Sequence, residues 1–68
     1  MRNRVRENRE KLNLTQEELG KRVGVSRQAI NAVETGKFDP SLWLAYDLGK
    51  LFGQPIESLF VFDEGDRK

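Results

Sequence analysis

Apolar residues recur three, four and seven positions apart along the chain rather than at every second position, which is the spacing of amphipathic helices and not of strands. Val5 and Leu12 share one stripe, Leu19 and Val23 a second, and Ile30 and Val33 a third. Leu44, Leu48, Leu51 and Phe52 form a fourth. Between these groups stand residues that start and stop helices. Asn13 is a stop after a first helix over Asn3 to Leu12. Thr15-Gln16-Glu17-Glu18 has the S/T-x-x-E pattern in which the first and last side chains satisfy each other's backbone donors, so a second helix opens there and runs to Val23. Gly24 and Gly36 suit the left-handed residue that follows a helix, and Ser26 suits the start of a third helix ending near Thr35. Asp39-Pro40-Ser41 interrupts the chain and caps a fourth helix that ends at Phe52 before Gly53. Pro55 opens a short fifth helix reaching Phe60.

Only Val25 and Ser26 separate Gly24 from the third helix. So tight a turn forces the second and third helices to cross steeply, as in a helix-turn-helix. On the third helix, Ala29, Ile30 and Val33 fall on one arc and must face the core. Arg27, Gln28, Asn31, Ala32 and Thr35 fall on the other, which carries no carboxylate. Arginine can pair with guanine O6 and N7, and asparagine or glutamine with adenine N6 and N7, while an acid there would repel phosphate. Glu34 lies at the edge of the core arc. If partly buried it needs a cation from another helix, for which Arg9 is the candidate; otherwise it is a surface glutamate.

The fourth helix places Trp43 nearly opposite its own core stripe, with Tyr46 at the margin. A tryptophan there needs a cover, either a second chain or the tail of its own. Phe60-Val61-Phe62 fits both readings, as a short strand pairing with a two-fold mate or as an intramolecular plug. Residues 63–68 are charged and expected to be a mobile tail, leaving residues 1–62 as one domain.

Composition narrows the picture further. Sixty-eight residues suffice for one small domain with a thin core, and the absence of cysteine and histidine rules out disulfides and the common zinc sites. Catalysis is not expected, because there is no histidine or cysteine, no glycine-rich phosphate loop and no organised acid pair. No cofactor is implied. No run is long and apolar enough to span a membrane and no leader is evident, which points to the cytoplasm. The net charge of +1 conceals an asymmetry. Residues 1–37 hold nine basic residues against five acids, whereas residues 38–68 hold three against six. The N-terminal half is therefore suited to a polyanion. Phosphate contacts are expected at the second helix's N-terminus, with Thr15 and Gln16, and after the third helix at Lys37. Lys21 and Arg22 are equally well read as solvated charges. Arg2 and Arg4 could reach a phosphate or a minor groove.

The stretch LTQEELGKRVGVSRQAINAVETGKFDPSL closely resembles the phage-repressor family of helix-turn-helix proteins, the Cro-like or xenobiotic-response-element class. Its characteristic positions include Leu14, Thr15, Gln16, Leu19, Gly24, Ser26, Ile30, Glu34, Gly36 and Pro40. The resemblance extends from Val5 to Phe60. It implies an all-α, five-helix, lambda-repressor-like domain with a short C-terminal extension, binding double-stranded DNA through its third helix as a homodimer on a roughly palindromic operator. Base contacts are implied for Ser26, Arg27, Gln28 and Asn31, phosphate contacts for Gln16, Thr35 and Lys37, and a salt bridge for Arg9 and Glu34. Several positions depart from the family pattern: Asn8 stands where many relatives carry a large apolar residue, and Gly20 and Gly49 where alanine is usual. Trp43 stands where a polar residue is common. The dimer interface is expected to draw on Trp43, Tyr46, Phe60 and Phe62.

The leading expectation is a sequence-specific transcriptional regulator, a repressor in the simplest reading. The alternative is an interaction module of the same fold, such as an antitoxin that binds a partner protein through Trp43 and the C-terminal segment.

Overall fold

The computed structural model describes residues 1–67; Lys68, assigned above to the tail, lies outside the described residues. Five α-helices follow one another: α1 (Val5–Lys11), α2 (Gln16–Val23), α3 (Arg27–Glu34), α4 (Leu42–Phe52) and α5 (Ile56–Leu59). Their borders follow the capping chemistry. Thr15 Oγ1 accepts from the Glu18 amide at 3.0 Å, and Glu18 Oε1 accepts from the Thr15 amide at 2.8 Å, closing the reciprocal box. Ser26 and Ser41 each accept at 3.1 Å from the amide three residues on, opening α3 and α4. Gly24 and Gly53 end α2 and α4 in the left-handed conformation.

α1 is shorter than its apolar stripe suggests. Asn3 is drawn out of the helix into an isolated antiparallel bridge with Phe60, and its side chain accepts from the Val5 amide instead. At the other end the helix stops at Lys11, with Asn13 at φ 58°. Leu12 therefore leaves the stripe it was expected to share with Val5 and is exposed.

Val5, Leu19, Ile30, Val33, Leu44, Leu48, Leu59 and Phe60 fill the core, with Ala45 at its edge. The anticipated Phe60–Phe62 strand finds its partner within the chain. Arg4 N donates to Leu59 O at 2.8 Å and Val61 N to Arg2 O at 2.9 Å, so residues 2–4 and 59–61 form a small clasp. Phe60 is consequently only 1% exposed and belongs to the core, not to an open interface. The charged segment beyond it makes one 3-10 turn, Glu64–Asp66, capped by Asp63. Arg2 lies 3.5 Å from Asp63.

Asn8 and two glycines depart from the family pattern for local reasons. Buried Asn8 donates to Arg4 O at 2.8 Å and accepts from Gln54 Nε2 at 2.6 Å, so its polarity is satisfied. A Cβ on Gly20 would stand 2.5 Å from Val25 O, and one on Gly49 would stand 2.7 Å from Gln54 O. In both places a turn's carbonyl occupies the room a methyl would need. At Gly20 that turn is the one joining α2 to α3.

Candidate nucleic-acid interface

α3 is anchored by one side and open on the other. Ile30 and Val33 have no exposed surface, whereas Ser26, Arg27, Gln28, Asn31 and Thr35 are exposed. No acid lies in the first turn of the helix. Its one carboxylate, Glu34, turns inward: the side chain is 3% exposed, and Arg9, at 12%, reaches it from α1. Arg9 Nε donates to Glu34 Oε2 at 2.7 Å and Nη2 to Oε1 at 3.3 Å, a two-pronged pair. Arg9 Nη1 also donates to Leu14 O at 2.8 Å, tying the loop before α2 to the same guanidinium. The hydrogen bond to Glu34 raises the Arg9 pKa above its already high ordinary value, outweighing the opposing effect of burial. The guanidinium therefore stays charged under all ordinary conditions.

One contact was not legible beforehand. Gln16 Nε2 donates to Glu34 Oε1 at 3.0 Å, so α1, α2 and α3 meet at a single carboxylate. The S/T-x-x-E box marked where α2 begins but said nothing about where its first side chain would turn. Thr15 and Glu18 close the cap at this point, and Gln16 is half-buried at the first helical position.

The remaining expected phosphate-binding residues differ in how free their side chains are. Lys37 is exposed just past α3. Thr15 uses its hydroxyl oxygen as acceptor in the cap, which leaves the hydroxyl proton for another partner. The Thr35 hydroxyl instead donates to Asn31 O at 2.9 Å, so a phosphate contact from it requires rotation out of that bond. Ser26 likewise accepts in its cap and keeps its proton.

On α4, Trp43 is 72% exposed and Tyr46 48%. The rings meet edge to face with centroids 5.7 Å apart, and Lys50 Nζ sits 5.9 Å over the Tyr46 ring. Among the described residues the C-terminal segment does not cover Trp43; Phe62, Asp63, Glu64, Asp66 and Arg67 lie beside Met1 and Asp39 instead. Phe62 itself is exposed, as is Leu42 in the first turn of α4. Three of the four aromatic residues anticipated for an interface thus remain open, and Phe60 does not. Among the described residues no group of histidine, cysteine or acidic side chains is arranged to hold a metal, and no helix is long and apolar enough to cross a membrane.

Comparisons with known proteins agree with this geometry. A helix-turn-helix family model matches residues 5–59. An uncharacterised HTH-type transcriptional regulator of Archaeoglobus fulgidus is 55% identical over 64 residues, covering 94% of this chain and 90% of that protein. Another from Methanothermobacter thermautotrophicus is 49% identical over the full length of both. In three dimensions the chain is similar to the P22 c2 repressor in complex with a synthetic operator, with a TM-score of 0.81 and 35% identity over 88% of this chain and 91% of that one. The chain belongs to the helix-turn-helix family of transcriptional regulators, in the class with the all-helical fold of the phage repressors.

Proposed function

We propose that the protein is a sequence-specific DNA-binding repressor that acts in the cytoplasm as a homodimer on a roughly palindromic operator, each α3 entering the major groove of one half-site. The observation that carries this reading is the open arc of α3. Arg27, Gln28 and Asn31 are exposed there, and the only acid of the helix is withdrawn into a buried pair with Arg9. Such an arc offers bidentate partners to base edges, paired donors from Arg27 and donor–acceptor pairs from Gln28 and Asn31, without repelling the backbone. Ser26 adds a short donor at its start, while Thr15, Gln16, Thr35 and Lys37 provide phosphate contacts that fix register without reading sequence. The likeness to a repressor bound to its operator supports the same choice of partner.

A two-fold dimer would set the two recognition helices about 34 Å apart, one turn of duplex. Trp43, Tyr46 and Phe62 are among the exposed apolar side chains available for that contact. The same exposure favours a second reading, in which this surface takes a different protein, as an antitoxin would; a partner recovered with wild type and lost with Trp43→Glu would favour it.

The test is selection of bound DNA from a random pool, followed by affinity measurements on the selected site. Symmetric half-sites about one helical turn apart are expected, with Arg27→Ala and Gln28→Ala each costing about 1–3 kcal/mol and relaxing selectivity. Unchanged affinity in both variants would remove α3 as the reader.

A further inference from the structure

The buried carboxylate of Glu34 does more than neutralise Arg9. Its Oε1 accepts from both Arg9 Nη2 and Gln16 Nε2, while Oε2 takes the shortest bond, from Arg9 Nε. A carboxylate only accepts, so the Gln16 amide is fixed in one sense: its nitrogen must face Glu34 and its oxygen must face away. One N–H of that amide is spent on Glu34 and the other has no partner among the described residues, at the first position of α2, where a helix leaves backbone N–H groups without intrahelical partners.

We propose that Glu34 is a positioning residue for phosphate recognition, holding the Gln16 side chain so that its second N–H and the first turn of α2 face one DNA phosphate together. This rests on the reading of Gln16 as a phosphate contact. A free glutamine loses rotamer freedom when it binds, a loss on the order of tenfold in affinity, and a side chain already held has met most of it before DNA arrives. The arrangement joins two kinds of contact. Glu34 ends the base-reading helix and Gln16 begins the phosphate-binding one, so a single carboxylate sets the spacing between them. Arg9 keeps that carboxylate in place from behind.

Removing the carboxylate should release Gln16. Glu34→Gln would not do so, because Gln16 can turn its amide over and accept from the new Nε2 through its own oxygen. Arg9→Met with Glu34→Met removes acceptor and cation together, so no charge is left buried alone and nothing holds the Gln16 amide.

Two measurements test this. Side-chain amide relaxation by NMR on the free wild-type protein should find Gln16 ordered, in contrast to exposed Gln28; equal mobility of the two overturns the proposal without any substitution. In a double-mutant cycle on selected DNA and on unrelated DNA, Gln16→Ala should cost about tenfold in the wild-type background and less than about threefold in Arg9→Met/Glu34→Met. The penalty should be the same on both DNAs, because a phosphate carries no sequence; a merely structural loosening of α3 would lower binding to selected DNA more than to unrelated DNA. Equal penalties in the two backgrounds overturn the positioning role while leaving the phosphate contact standing. No penalty in either background removes the phosphate contact itself, and the proposal with it.

Discussion

Gln54 donates to Asn8 Oδ1 at 2.6 Å, joining the middle of α1 to the turn before α5 across 46 positions of sequence. Asn8 is a buried polar residue, so the bond is what makes its polarity tolerable. Asn8→Ala should therefore destabilise the fold by about 1–2 kcal/mol, since Gln54 is only half-buried and recovers some hydration. Replacing both partners together, Asn8→Leu with Gln54→Met, should recover most of that loss. Urea midpoints decide it; a parental midpoint for Asn8→Ala would mean that the bond contributes nothing.

Gly20→Ala would ordinarily stabilise a helix by close to 1 kcal/mol. Here the added methyl meets Val25 O at 2.5 Å, in the turn that sets the crossing of α2 and α3. The expected outcome is a net destabilisation of about 1–3 kcal/mol, with weakened DNA binding because the turn must open. Thermal denaturation that shows a raised midpoint would contradict the close approach.

The Glu18 carboxyl is held below its ordinary value of 4.5, first by the backbone hydrogen bond from Thr15 and then by the Thr15 side chain. A carboxyl with a lowered folded pKa adds stability that is fully present above its unfolded pKa and is lost as pH falls through the folded value. Wild type and Glu18→Gln should accordingly differ most near neutrality and converge in acid, below 4.5. Denaturation curves across that range that stay parallel would argue against the capping carboxylate.

Lys37 stands exposed past the C-terminus of α3 with no carboxylate bonded to it among the described residues. Lys37→Ala should weaken binding to all DNA sequences alike and flatten the slope of log affinity against log salt by about one per protomer. An unchanged slope would mean that the lysine does not meet a phosphate.

Trp43 is uncovered within its own chain, so replacing it should leave the fold intact. Trp43→Glu is expected to raise the dimer dissociation constant by at least about tenfold in analytical ultracentrifugation, with little change in circular dichroism. A variant as dimeric as the parent would exclude this face of α4 from the interface.

The helices, and the ends of α2, α3 and α4, were readable because they depend on neighbours in sequence. Thr15 with Glu18, Ser26, Ser41, Gly24 and Gly53 each act within four residues, and each does in the structure what its position suggested. The Arg9–Glu34 pair was also accessible, since periodicity put Glu34 beside the core and a buried carboxylate calls for a cation. What stayed hidden was contact across long stretches of chain. Nothing local to Asn8 indicates Gln54, and nothing local to Gln16 indicates Glu34. Phe60 looked like interface material because an aromatic near a terminus can pair outward or inward with equal ease. The choice was made by Asn3, whose backbone bridges to Phe60 and whose side chain donates to Val33 O at 2.8 Å.

The clasp between residues 2–4 and 59–61 has a kinetic side. Its backbone bonds, Arg4 N to Leu59 O and Val61 N to Arg2 O, close a loop containing almost the whole domain. The entropy lost on closing a flexible loop grows with its length, and helices that have already docked shorten the path between its ends. The clasp therefore forms most cheaply after α1 to α4 have met, and in native-state hydrogen exchange the amides of Arg4 and Val61 should open as one unit. Phe60, the largest fully buried side chain among the described residues, sits between those two bonds, so closing the clasp is also what seals the core.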